Sequence, residues 1–257
     1  MSSWLEAGLW GLLGGSALVL GALIAFVITL PQRVIAAVMA VGAGVLISAV
    51  AFDLMDEAFR QGGFAATAGG FLAGGLAYTA ANVLISRRGA RHRKRSGGGA
   101  AHEQQPGPGT PEGGAGLAIA AGALLDGVPE SVVIGVSLAA GGGVSLVMVA
   151  AVFLSNVPEG LSSAAGMKKA GRSARYIFGV WGGIALASGV SAALGNLLLA
   201  GAAPAVIAGV IAVAAGAILA MLVDTMIPEA TAATHDYSGL IAVFGFLIAF
   251  VLTKLEG

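Results

Sequence analysis

Cysteine is absent from this chain, which excludes disulfides and every thiolate metal site and leaves the redox compartment unmarked. Charge is scarce as well. Asp, Glu, Lys and Arg make up 10% of the 257 residues, against about 25% in soluble domains. With 57% hydrophobic residues, that poverty excludes an ordinary soluble core. The 13 basic and 13 acidic residues cancel, so net charge points to no nucleic acid or other charged partner. Aromatic residues are few, at 6%. The sequence holds no Walker loop, no Gly-x-Ser-x-Gly elbow and no His-Glu-x-x-His, so ATP-driven transport and the common hydrolase mechanisms lack their residues. What is abundant is glycine, 42 residues of it, and small residues let membrane helices approach closely. The lipid bilayer is therefore the first expected partner, and an enzyme is not expected.

A bilayer requires about 20 apolar residues per helical span. Runs of that kind predict eight spans, at about 8–30, 34–57, 64–85, 115–139, 143–166, 177–200, 204–228 and 238–254. The first run has no basic region before it and outlasts a signal core, so it reads as a span rather than a leader. The expectation is a single all-α polytopic membrane domain over 1–257. Between spans 3 and 4, residues 86–114 open with Arg87, Arg88, Arg91, Arg93, Lys94 and Arg95 and turn into Gly, Pro, Gln and Glu. That composition builds no core and is expected to be a flexible loop. Its basic cluster reads as a topology signal, with anionic lipid headgroups as the alternative. Arg33, these six residues, Lys168, Lys169, Arg172 and Arg175 all fall on one side, and only Arg60 and Lys254 on the other. The bias places the 86–114 loop in the cytoplasm and both termini outside, in a protein of the plasma (inner) membrane.

An internal repeat agrees with that count. Residues 41–58, VGAGVLISAVAFDLMDEA, align with 213–230, VAAGAILAMLVDTMIPEA, so that Val41, Ala43, Gly44, Glu57 and Ala58 recur as Val213, Ala215, Gly216, Glu229 and Ala230. Spans 2 and 7 would run in opposite directions, the inverted repeat of many secondary transporters, with the substrate site at the repeat interface.

Two spans carry Val-Pro-Glu in their middles: Asp126-Gly127-Val128-Pro129-Glu130 and Ser155-Asn156-Val157-Pro158-Glu159. Carboxylates inside the membrane are costly and mark function by default. Proline removes a backbone donor and frees the carbonyl four residues earlier, here that of Leu125 and of Leu154. Asp126 and Glu130 share one helix face, as do Asn156 and Glu159. Side by side, the two spans would form an oxygen-lined site suited to a hard or borderline divalent cation. Such an ion would offset the repulsion among the three acids. The alternative is a protonated carboxyl bonded to a neighbouring helix in a purely structural role. Asp53 and Asp224, deeper in spans 2 and 7, and Glu229 near Pro228 are candidates for an ion pathway, while Asp56 and Glu57 read as helix-end acids in contact with water. His92, His102 and His235 lack ligand spacing.

These residues resemble the ZIP (Zrt/Irt-like) metal permeases. The likeness is carried by the paired Pro-Glu spans, the loop between spans 3 and 4 and the acidic ends of spans 2 and 7. It implies eight spans in a 3+2+3 arrangement, frequent homodimers, and passage of zinc, or of iron or manganese, into the cytoplasm without ATP. The metal is then substrate, not cofactor. The family pattern in span 4 is His-Asn-x-Pro-Glu-Gly; here Asp126 and Gly127 stand for the His and Asn, while Pro129 and Glu130 match. In span 5, Ser155 replaces the usual His or Gln, while Asn156, Pro158, Glu159 and Gly160 fit. Where span 6 often carries a Glu, Ser188 is the nearest substitute. Loss of both imidazoles weakens the preference for zinc over calcium or magnesium. The implied ligands are Asp126, Glu130, Asn156 and Glu159, with Ser155 and Ser188 beside the path. A non-transporting sensor or scaffold, and a cation-coupled carrier of another solute, are the competing expectations.

Overall fold

In hydrocarbon every backbone N–H and C=O must be satisfied within its own segment, and a long apolar run therefore becomes a helix. The computed structural model describes residues 2–91, 93, 94, 96, 116–139 and 145–256, and among these there is no strand. Helices α1 (Ser3–Val27) and α2 (Gln32–Ala49) are followed by a π-helical turn, Val50–Leu54, and by α3 (Met55–Ile85). Further along the chain come α4 (Gly116–Ala139), α5 (Leu146–Lys169), α6 (Ala174–Leu199) and α7 (Pro204–Met221). A second π-helical turn, Leu222–Met226, leads into α8 (Ile227–Thr234), and α9 (Ser238–Glu256) ends the described chain. Among the described residues, six stretches are long and apolar enough to cross a membrane: Ser3–Val27, Gln32–Arg88, Ile119–Ala139, Ala174–Leu199, Pro204–Ala232 and Ser238–Leu255.

Helix α3 is kinked at Gly63, within the gap expected between spans 2 and 3, where a φ of 67° is one that side-chain-bearing residues rarely adopt. The helix before it continues past Asp56 and Glu57 instead of ending there, and both acids pair with Arg60 one turn on. The two π-helical turns fall in matching places of the internal repeat, since the alignment of 41–58 with 213–230 pairs Val50–Leu54 with Leu222–Met226. A shared backbone irregularity at the same register is independent of the shared small residues.

Glycine sets how the helices approach. A side chain at Gly74 would lie 1.9 Å from the carbonyl oxygen of Val213, and one at Gly216 would lie 1.9 Å from that of Phe71, so α3 and α7 touch backbone to backbone. Four pairs of helices run in the same direction. Gly14 lies beside Val152 and Leu18 beside Gly160 (α1 with α5), while Gly127 neighbours Ile184 and Gly135 neighbours Ala192 (α4 with α6). Gly62 meets Ala208 and Gly74 meets Val213 (α3 with α7). In α2 and α9, Val41 meets Gly245 and Asp53 meets Thr253. Helix α1 also packs on α6 in the opposite sense, with Gly8 by Ala193 and Gly15 by Ala185. Buried Met39, Leu46, Ile134, Ile218, Met221 and Leu222 fill the space between the pairs.

Candidate functional site

Helices α4 and α5 run through Pro129 and Pro158 without interruption, and each presents its carboxylates inward. Asp126, Glu130 and Glu159 are buried, at 1%, 1% and 4% exposure. A charge withdrawn from water needs a partner of opposite sign, and the partners come from the segment that follows α3. Arg93 grips Asp126 in a two-pronged pair: its Nε donates to Oδ2 at 2.9 Å and its Nη2 to Oδ1 at 2.8 Å. The Tyr78 hydroxyl donates to the same Oδ1 at 2.6 Å and accepts from Arg93 Nη2 at 2.9 Å. Lys94 Nζ stands between the two helices, 3.3 Å from Asp126 Oδ2 and 2.8 Å from Glu159 Oε2. Burial works against the charge of Lys94, but attraction to Asp126 and Glu159 outweighs it and holds the ammonium protonated above the ordinary lysine range.

The backbone of the segment is held as firmly as its side chains. Ser162 and Ser163, one turn beyond Glu159 on α5, donate to the carbonyls of Lys94 and Arg93 at 2.7 and 2.5 Å. Ser96 donates its N–H to Glu229 Oε1 at 2.8 Å, and its hydroxyl donates there too. Gln32 adds a further donor to that oxygen at 3.3 Å, and the Ser162 hydroxyl, whose one proton goes to the Lys94 carbonyl, lies 3.1 Å from it. Arg93 Nη1 donates to Asn82 Oδ1 at 2.9 Å, and Asn82 Nδ2 donates to Asp224 Oδ2 at 3.1 Å. Asp224 in turn lines an open cavity of about 360 Å³ with Asn82, Ser86, Arg87, Arg91 and Thr225.

Glu130 is the exception. It is buried one helical turn from Asp126, within electrostatic reach of Glu159, Lys94 and Asp126, yet neither of its carboxyl oxygens has a hydrogen-bond partner among the described residues. A buried polar group left unpaired costs stability and calls for an explanation.

Of the expected site residues, the structure thus brings Asp126 and Glu159 together through Lys94, with Glu130 beside them. Asn156 uses its amide nitrogen on the Gly14 carbonyl at 3.0 Å, leaving only its oxygen for a cation. Glu229 joins the cluster through Ser96, and Asp224 through Asn82 and Arg93. Ser155 donates to the Val152 carbonyl in its own helix, and Ser188 packs against Gly15 of α1. Asp53 accepts from Thr253 of α9 at 3.2 Å. As the side chains stand, no three Asp, Glu or His groups among the described residues are arranged to hold a metal ion.

One expectation needs correcting. The described part of the 86–114 loop is solvated only in part. Ser86–Ala90 continues α3 as a π-helical turn, Arg87, Arg88 and Arg91 are exposed, but Arg93, Lys94 and Ser96 are buried in the helix bundle. The reason is electrostatic: the buried carboxylates of Asp126 and Glu159 pair with the guanidinium of Arg93 and the ammonium of Lys94. The rest of that loop, from 97 to 114 with His102, and also His92 and Arg95, lies outside the described residues. Sequence reasoning also passed over Tyr78 and Asn82, four apart on one face of α3, and the Ser162-Ser163 pair. Their signal is polar side chains in an otherwise apolar run, at helical spacing from one another or from Glu159.

The fold and its buried charges define the chain as an all-helical membrane protein. Compared with known protein families and with curated proteins, the chain matches none.

Proposed function

We propose that this protein is a permease for divalent metal cations, carrying zinc or a similar ion such as iron or manganese toward the cytoplasm without ATP. The observation that carries the reading is Glu130: a carboxyl group buried among apolar helices, beside Asp126 and Glu159, with no hydrogen-bond partner among the described residues. An unsatisfied acid at that depth is explained if its partner is a mobile cation. Asp126, Glu130, Asn156 and Glu159 would supply an oxygen-rich ligand set, as the resemblance to the ZIP permeases also implies.

The path needs eight crossings in a 3+2+3 inverted repeat, and several features support that. The stretch Gln32–Arg88 has 57 residues, about 85 Å of helix against a hydrocarbon core of about 30 Å, so it would cross twice, with Gly63 at the turn. Helix α5, with 24 residues, is long enough to cross even though Asn156, Glu159 and its serines lower its apolarity. In an eight-crossing chain, all four same-direction pairs join spans of equal parity. The pairing α1 with α5 is then answered by α6 with α4, and α2 with α9 by α7 with α3, the pattern an inverted repeat produces. The bias of basic residues puts both termini outside and the 86–96 segment on the cytoplasmic side.

A second reading, a non-transporting sensor or scaffold, is favoured by the complete pairing of Asp126 with Arg93, Lys94 and Tyr78. Flux separates the two. Purified protein in liposomes is expected to admit radioactive zinc down its gradient in the absence of ATP, at a rate well above that of protein-free liposomes. Binding of zinc with no influx would favour the second reading.

A further inference from the structure

We propose that Arg93 and Lys94 are an internal stand-in for the divalent cation: a tethered plug that fills the acid site and must withdraw before a metal ion can be held there. This rests on the permease reading. The charges match, since one guanidinium and one ammonium together carry the two positive charges that a divalent ion carries. The positions match as well. Lys94 Nζ bridges Asp126 and Glu159, the place where an ion shared by α4 and α5 would sit, at 3.3 and 2.8 Å. Exchange of plug for metal therefore leaves the net charge of the site unchanged, and the buried acids need never face hydrocarbon uncompensated.

The surrounding residues are built to receive the segment, not merely to tolerate it. Ser162 and Ser163 hold its two carbonyls, and Glu229 holds Ser96, so three consecutive features of α5 (Glu159, Ser162, Ser163) read Lys94 and Arg93. Helix α4 is hollowed for the arginine stem. A side chain at Gly122 would lie 2.5 Å from Arg93 Cδ and 2.8 Å from Nε. The way out is short, because Asn82, which accepts from Arg93, itself lines the open cavity that contains Asp224. Glu130, whose carboxyl has no hydrogen-bond partner among the described residues, would give an incoming ion its first point of attachment.

Amide hydrogen exchange of residues 91–96, in wild-type protein held in lipid nanodiscs, tests this with zinc chloride as the probe. Without metal the segment should be protected, the Ser96 amide above all. At zinc ten times above its apparent Kd, roughly nine molecules in ten should have the segment withdrawn, and its protection should be lost. Gly122→Val, which leaves every acid intact, should expose the segment without zinc and tighten zinc binding about tenfold or more by removing the cost of opening. Lys94→Met provides the same test from the other side of the contact. If zinc binds wild-type protein and is lost in Glu130→Gln, while exchange of 91–96 is unmoved and both variants bind like wild type, the plug is overturned and the permease reading stands. Absence of zinc binding in wild type and in both variants would overturn the two together. Binding that emerges only in the variants would establish a plug locked in place.

Discussion

Glutamine in place of Glu130 is expected to lower zinc affinity at least about 100-fold without lowering thermal stability. Loss of an outer partner of a metal ligand already costs 10–100-fold, and Glu130 is assigned as a ligand itself. The stability half of the expectation is the sharper one. Neither oxygen of Glu130 has a hydrogen-bond partner among the described residues, so its replacement breaks no observed hydrogen bond. A neutral amide of equal size is also cheaper to bury than a carboxylate beside Asp126 and Glu159. Stability unchanged or raised, with binding lost, is the signature of a residue retained for its ligand. Equilibrium dialysis with zinc and a melting curve on the same preparation check both halves. A variant that melts early and still binds zinc would make Glu130 a structural residue.

Alanine at position 126 is expected to act in the opposite way, first on the protein and only through it on the ion. Asp126 takes two bonds from Arg93, one from Tyr78 and an ion pair from Lys94. Removing one member of a buried pair costs about 3–5 kcal/mol, because the other is left charged and unpaired. Here the stranded cations belong to a chain segment that can leave. That release limits the loss to the free energy of docking the segment, and protection of 91–96 against hydrogen exchange should fall by about 10²-fold to a few times 10³-fold, the same energy expressed as an equilibrium. Adding Arg93→Met to Asp126→Ala should recover part of the protection, since the uncompensated guanidinium is gone. No recovery would mean that Arg93 and Asp126 do not depend on each other. Unchanged exchange in Asp126→Ala alone would show that the pair contributes little to docking.

The helical, membrane-crossing character of the chain could be read directly, because a bilayer imposes length and apolarity on each span and the sequence records both. The repeat was readable through Gly44 and Gly216, Glu57 and Glu229, and it extends to a backbone irregularity that no residue type announces, the π-helical turns at Val50–Leu54 and Leu222–Met226. The kink at Gly63 falls in the gap, 58–63, expected between spans 2 and 3, while the helix carries Asp56 and Glu57 past the place where they look like a helix end. At the site, the two Pro-Glu motifs pointed to Asp126, Glu130 and Glu159 because charge in an apolar run is conspicuous. Arg93 and Lys94 were not singled out for the converse reason. Basic residues in a polar loop are unremarkable, and nothing local in SRRGARHRKRS distinguishes the two that are drawn into the bundle from those left in solvent. Their burial is decided by acids on other helices, at a distance along the chain that periodicity and propensity do not sample.

The central claim is that one divalent ion is gripped by acids from both Pro-Glu helices, and a zinc-soaked crystal measured at the zinc absorption edge tests it most directly. The expected result is an anomalous peak between α4 and α5, with oxygens of Asp126, Glu130 and Glu159 at about 2.0–2.2 Å and Lys94 displaced from between them. A map with no peak there, or with zinc only on the exposed acids near Arg60, would contradict the account.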